Sequence, residues 1–207
     1  LPSCRRLMLI ALLAATACAE LDADSAPLPE AELQLRALAS RPTTMVQGIG
    51  DAENATFTSD GRLFVTGGEN VYEITKLGDA YQAEKRYAGT CNFTGIVEHA
   101  GYLYTTCGEG ADLANLTPYL LASPLTPRVE FEVIYEFTKV GIPNGIAFDE
   151  RGRLFVTDFT PLLGKLVALS FAPSSPLSVT REEVWHRMNH PLANGLKIYR
   201  NKVYLTD

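Results

Sequence analysis

The chain has 207 residues, 46% of them hydrophobic and 20% charged, which is the make-up of a folded globular protein rather than a disordered one. Its net charge of -6, with acidic and basic residues interspersed, excludes the basic face that nucleic acid binding requires. No run of like charges is long enough to read as an interaction tail.

The first residues have the order of an export signal. Arg5 and Arg6 precede a short apolar core, Leu7 to Leu13, and the small residues Ala14, Ala15, Thr16 and Ala17 lead into Cys18. The apolar run is too short to span a bilayer. The stretch before Cys18 resembles the lipobox of bacterial lipoproteins, with Ala15 standing where Leu is usual. Two readings stay open: lipidation of Cys18, or plain cleavage between Ala17 and Glu20. Both export the mature protein, to the periplasm, the cell surface or the medium, and leave a membrane contact only through an N-terminal lipid. Residues 1–18 are therefore read as signal and 19–43 as tether. Within the tether, Ser25 to Pro29 has linker composition and Glu30 to Ala39 suits a short helix.

From residue 44 onward one phrase recurs four times: AENATFTSDGRLFVT from Ala52, FTGIVEHAGYLYTT from Phe93, PNGIAFDERGRLFVTD from Pro143 and ANGLKIYRNKVYLTD from Ala193. Aligned on Leu63, Leu103, Leu154 and Val203, the copies lie 40, 51 and 49 residues apart. Two short strands around a polar turn, repeated at that period, predict an all-β propeller seen blade by blade. The first copy continues into strands over Val71–Ile74 and Tyr81–Tyr87, and the second into Tyr119–Leu121 and Val129–Phe137. The third supplies Ile146–Phe148, Leu154–Thr157, Leu166–Phe171 and Val179–Trp185. Four strands per repeat make a blade, so residues 44–207 hold about three and a half blades. A half blade leaves unpaired edges. The chain is accordingly expected to be a piece of a longer propeller, with closure of a four-bladed ring by a strand at Thr43–Gln47 as the alternative. Phe64, Tyr104, Phe155 and Tyr204 recur with the blade period and are assigned to the core between blades. His99, in the second hairpin turn, is read as solvated.

Innermost strands of a propeller surround one central channel, so matched positions become neighbours. Glu53 and Asn144 each lie ten residues before their alignment point and Asn194 nine, while Thr94 is matched through Gly95. Carboxylate and amide oxygens are the donors of a hard cation such as Ca²⁺. The sequence has no His/Cys cluster of the kind a tetrahedral zinc site uses. Each residue also has a plainer reading: Asn-Gly pairs serve turns because both tolerate positive φ, and Glu53 suits an exposed loop.

PNGIAFDERGRLFVTD and ANGLKIYRNKVYLTD resemble the repeats of the SMP-30/gluconolactonase family and of its relatives, the paraoxonases and strictosidine synthase-like proteins. The resemblance covers roughly Asp51 to Asp207. It implies a six-bladed propeller, a divalent metal, Ca²⁺ by preference, in the channel, and hydrolysis of a lactone or ester. It further implies that Glu53, Asn144 and Asn194 hold the metal, with Asn144 able to meet substrate instead, and that an acidic residue one blade further on completes the site; the Thr94 hydroxyl can also meet substrate, with a core or turn role as its plainer reading. His190, four residues before Asn194, is the candidate general base. A non-catalytic, envelope-anchored propeller of the NHL type, binding a partner, is the alternative function. No G-x-S-x-G, phosphate loop or dinucleotide fingerprint occurs.

Cys91 and Cys107 flank the second hairpin, whose antiparallel pairing would bring them near register. In an exported protein a disulfide is expected between them, with free buried thiols as the alternative.

Overall fold

The computed structural model describes residues 44–206 except 111, 113, 114, 162 and 190. The export signal with Cys18, the helix expected over 30–39, His190 and Asp207 lie outside the described residues.

Each of the first three repeats forms one antiparallel four-stranded sheet in chain order. The first sheet holds β1 (Ala52–Phe57), β2 (Leu63–Gly67), β3 (Asn70–Leu77) and β4 (Ala80–Ala88). The second holds β5 (Asn92–His99), β6 (Tyr102–Glu109), β7 (Thr117–Pro124) and β8 (Glu132–Glu136). The third holds β9 (Pro143–Phe148), β10 (Leu154–Asp158), β11 (Lys165–Ala172) and β12 (Ser175–Arg187). The hairpin of β13 (Leu196–Tyr199) and β14 (Lys202–Leu205) starts a fourth. The strand expected over 129–137 is shorter than the sequence suggested, because Val129 and Phe131 enter the core before the ladder begins at Glu132. Residues 44–47 form no strand, and β1 pairs with β2 alone.

The hairpin turns follow their sequence. After β1, Thr58 and Arg62 close a loop in which Gly61 takes φ 85°, and after β9 Asp149 and Arg153 close the same loop around Gly152 at φ 73°. Between β5 and β6 only Ala100 and Gly101 separate the paired residues His99 and Tyr102, both at positive φ (50° and 79°), as a tight two-residue hairpin requires.

Apolar side chains pack sheet on sheet. Phe64 and Val71 of the first blade meet Phe93, Ile96, Leu103 and Leu121 of the second, with Phe131 and Tyr87 edge to edge against the same cluster. Tyr104 and Leu120 of the second blade meet Ile146, Leu154, Val156 and Val167 of the third. Phe155, Leu166 and Ala168 of the third meet Ala193, Leu196 and Val203 of the hairpin. β10 lies between neighbours on both sides and is buried along its whole length, so it reads as a continuous apolar run. Of the four recurrent aromatics, Phe64, Tyr104 and Phe155 are core residues. Tyr204 is 52% exposed, since no sheet packs on the far face of the β13–β14 hairpin among the described residues. The Tyr104 hydroxyl donates to the Pro176 carbonyl at 2.8 Å, and burial, with Tyr102 nearby, pushes its pKa up to about 12. It therefore stays a donor at any physiological pH.

Polar ties reinforce the blade boundaries. The Glu182 carboxylate on β12 accepts hydrogen bonds from the backbone N–H groups of Thr138 and Lys139, on the segment leaving the second blade. Cys91 and Cys107 form a disulfide with their Cα atoms 5.7 Å apart. It pins the entry of β5 to the end of β6, beside the Phe93–Cys107 register pair. His99 is not solvated as its turn position suggested. It is half-buried and stacked on Phe148 of the next blade, ring centroids 4.0 Å apart and 14° from parallel. The short hairpin carries its ring over the neighbouring strand, where apolar surface is available.

Candidate functional site

Every complete blade has an irregularity at the same point of its innermost strand. In the first, Ala52 faces Gly67 and Asn54 faces Thr66, so Glu53 is an extra residue. In the second, Thr94 and Gly95 together oppose Thr106, between the pairs Phe93–Cys107 and Ile96–Thr105. In the third, Asn144 and Gly145 oppose Thr157, between Pro143–Asp158 and Ile146–Val156. These are β-bulges, which release a residue from the ladder and re-aim its side chain.

A threonine holds each bulge. Thr66, Thr106, Thr157 and Thr206 stand at the same place in the four repeats, three residues after the alignment point. Their hydroxyls accept the N–H of Asn54 (3.2 Å), Gly95 (3.0 Å), Gly145 (2.7 Å) and Gly195 (2.9 Å). The first three also donate forward to the next blade: Thr66 to the Thr94 carbonyl (2.5 Å), Thr106 to the Asn144 carbonyl (3.2 Å) and Thr157 to the Asn194 carbonyl (2.6 Å). Thr66, Thr106 and Thr157 are fully buried. One continuous hydrogen-bonded arc thus runs through the three bulges and into the start of the fourth repeat. It places Glu53, Thr94, Asn144 and Asn194 at equivalent positions, in the same register that the sequence spacing gave. The threonines themselves went unassigned in the sequence, although their recurrence in LFVT, LYTT, LFVT and VYLT was a legible signal.

The glycines have a different purpose from the one their Asn-Gly context suggested. Gly95, Gly145 and Gly195 do not have positive φ, nor do Asn144 and Asn194. A Cβ at Gly95 would come within 2.3 Å of the Asn144 carbonyl oxygen, and one at Gly145 within 2.5 Å of the Asn194 carbonyl oxygen. The next blade's backbone occupies the space that a side chain would need. These pairs are packing devices between blades and not turns.

The four candidate residues differ in their surroundings. Glu53 is exposed, Asn194 is half-buried and Asn144 is 8% exposed. Among the described residues the carboxylate of Glu53 and the amides of Asn144 and Asn194 have no protein hydrogen-bond partner. The Thr94 hydroxyl, by contrast, is engaged by the Pro143 carbonyl at 2.9 Å and by Thr106 at 2.9 Å, so it links bulges. Among the described residues no three His, Cys, Asp or Glu side chains gather in a metal-holding group. A cation here would rest on one carboxylate and two amide oxygens, a donor set that fits Ca²⁺ in kind and is light in charge.

Asp158 ends β10 beside this arc and is fully buried. Its Oδ1 accepts the N–H groups of Gly141 (3.1 Å) and Ile142 (2.9 Å), and its Oδ2 lies 2.9 Å from the Lys165 ammonium. It fixes the loop that enters β9, as a cap, just ahead of Asn144.

Two cavities open where the inner strands begin. One, of about 250 Å³, is lined by Asn92, Thr94, Asp112 and Pro143, among others. The second, of about 410 Å³, shares Leu116 and Ile142 with the first. A wider cleft of about 790 Å³ lies between the outer part of the third blade and the β13–β14 hairpin, by Trp185 and His186, away from the bulges.

Bulge-bearing inner strands stacked blade on blade match known architectures. The chain is similar to a glucose dehydrogenase (TM-score 0.53, 21% identity, covering 78% of this chain and 59% of that one). It is also similar to the soluble aldose sugar dehydrogenase of Escherichia coli (TM-score 0.52, 17% identity, 76% and 57%) and to a glucose dehydrogenase-type oxidoreductase of Thermus thermophilus (TM-score 0.51, 17% identity, 76% and 57%). The fold is a β-propeller. What is shared at these identities is the architecture, and this chain spans a little over half the length of those structures. No protein-family model matches the sequence, and no curated protein does.

Proposed function

We propose that the arc of bulges forms the metal-holding floor of a propeller active site that hydrolyses a lactone or ester. The observation that carries this reading is the contrast between backbone and side chains at the bulges. The backbone carbonyls of Thr94, Asn144 and Asn194 are tied by threonine hydroxyls, while the side-chain oxygens of Glu53, Asn144 and Asn194 have no partner among the described residues. Asn144 is the enclosed one of the three, and an enclosed amide without a protein partner is costly unless water or a ligand binds it.

Glu53, Asn144 and Asn194 would hold a Ca²⁺ ion, which when bound would supply charge to polarise a carbonyl and acidify a water. The chain's own residues do the rest. The arc fixes the three donors so that little reorganisation is needed on binding. Asn144, the most enclosed, can orient the substrate oxygen through its amide N–H. His190, close to Asn194 in sequence, is assigned the role of proton acceptor. An acidic residue from a further blade would raise the ligand charge.

A second reading follows from the fold neighbours, which are sugar dehydrogenases: oxidation of an aldose at the same mouth. A panel assay of the full-length protein separates the two. Hydrolysis of simple lactones that is abolished by a chelator, restored by Ca²⁺ and lost in Glu53→Ala and Asn194→Ala is the expected result. Aldose-dependent reduction of an artificial electron acceptor without lactone turnover favours the dehydrogenase. Absence of both leaves a binding module.

A further inference from the structure

We infer that the site has an apolar annex, so that its ligand carries an aliphatic tail beside its polar head; this deepens the lactone or ester reading and rests on it for the head alone. The 250 Å³ cavity meets the arc through Thr94, the register mate of Glu53, Asn144 and Asn194, and it shares Leu116 and Ile142 with the 410 Å³ cavity, so the two adjoin. The second is walled by Phe159, Pro161 and Leu192 as well, with no ionisable side chain among its described lining residues. Its volume alone falls in the range of about 300–1,000 Å³ typical of small-molecule sites. A polyhydroxylated sugar ring would leave its hydroxyls without partners there, whereas a hydrocarbon chain would bury apolar surface.

The walls are built and not incidental. Asp158 binds the N–H groups of Gly141 and Ile142, Phe159 N–H donates to the Ile142 carbonyl at 2.7 Å, and Leu192 N–H donates to the Thr160 carbonyl at 3.2 Å. Leu192 is held at φ 62°, a left-handed conformation that disfavours any residue with a Cβ. A glycine would relieve that strain. Leu192 is 38% exposed, and the rest of its surface belongs to the cavity wall, where a strained residue marks a functional position.

The test measures binding of two homologous series to the full-length protein by calorimetry: γ-lactones with no tail, a butyl tail and a hexyl tail, and primary alcohols of matching tail length. Affinity should rise with tail length in both series, up to roughly fourfold per methylene. Leu192→Gly, whose backbone suits glycine, should keep the fold and flatten the slope, and Thr160→Phe should flatten it by filling the cavity. A slope in both series without any preference for lactone over alcohol supports the annex and counts against the lactone head. A preference for lactones with no dependence on tail length, an undiminished slope in Leu192→Gly, or binding of neither series overturns the annex.

Discussion

The hydroxyl of Thr157 donates to the backbone carbonyl of Asn194 at 2.6 Å, across the boundary from the third blade to the fourth. The same oxygen accepts the N–H of Gly145, so one buried side chain joins the bulge of β9 to the segment that enters β13. Thr157→Val keeps the shape and removes both hydroxyl bonds, leaving only the longer direct bond from the Gly145 N–H to the Asn194 carbonyl at 3.2 Å. It should destabilise by about 1–3 kcal/mol, read as a lowered urea midpoint, while Thr157→Ser should restore most of the loss. Equal stability of the valine variant would contradict the bridging role.

Two glycines make a matched contrast. Gly152 has φ 73° and only an ordinary contact, His99 Nε2 at 3.8 Å, near the place of a Cβ, whereas Gly145 has no positive φ and faces the Asn194 carbonyl. Gly152→Ala should cost about 1–2 kcal/mol through its backbone conformation alone. Gly145→Ala should cost more, because its methyl meets backbone that must move. Thermal unfolding of both variants ranks them, and the reverse order would refute the close-approach explanation.

Much of this architecture was legible in the repeats. The spacing of Leu63, Leu103, Leu154 and Val203 gave the blades, and Glu53, Thr94, Asn144 and Asn194 proved to be register mates because the bulge falls at a fixed distance from the hairpin. What sequence reasoning missed depends on contacts between blades. The forward bond from each threonine joins residues 28 to 38 positions apart, and no local pattern announces it. His99 misled for the same reason: its turn is local, while its partner Phe148 comes from the next blade. The Asn-Gly pairs looked like turns because the close approach of a neighbouring strand leaves no trace in the dipeptide itself.

The Cys91–Cys107 disulfide spans 16 residues and ties the start of a blade to its second strand. A loop of that size corresponds to about 3 kcal/mol in chain-entropy terms. Cys91→Ala with Cys107→Ala should lower stability by a comparable amount, and a reducing agent should destabilise the natural protein but not the double variant. Insensitivity of the natural protein to reduction would remove the disulfide from the stability argument.

Glu73 links Arg62 (Nε–Oε1 2.9 Å) and Arg86 (Nε–Oε2 2.7 Å) on the outer side of the first blade. The Arg62 hydrogen bond first, then Arg86, outweighs burial and holds the Glu73 carboxyl below its ordinary 4.5. A carboxylate whose folded pKa is depressed stabilises the fold fully above the ordinary value and loses that contribution as pH falls through the lowered one. Glu73→Gln should therefore be less stable than the natural protein at pH 7, and the gap should close as pH falls below the ordinary carboxylate range and through the lowered value. Urea midpoints measured from pH 7 to pH 3 check this, and a gap independent of pH would show that packing, not charge, makes the difference.

The central claim is that Glu53, Asn144 and Asn194 act together as one oxygen-donor set for a cation. Calcium titration of the full-length protein by calorimetry tests it most directly, with Glu53→Ala, Asn144→Ala and Asn194→Ala beside the natural sequence and Thr94→Val as a comparison that keeps the donor set. The expected result is one site per chain, weakened at least tenfold by each of the three alanine variants and much less by Thr94→Val. Calcium binding that survives all three substitutions, or no binding by the folded natural protein, would contradict it.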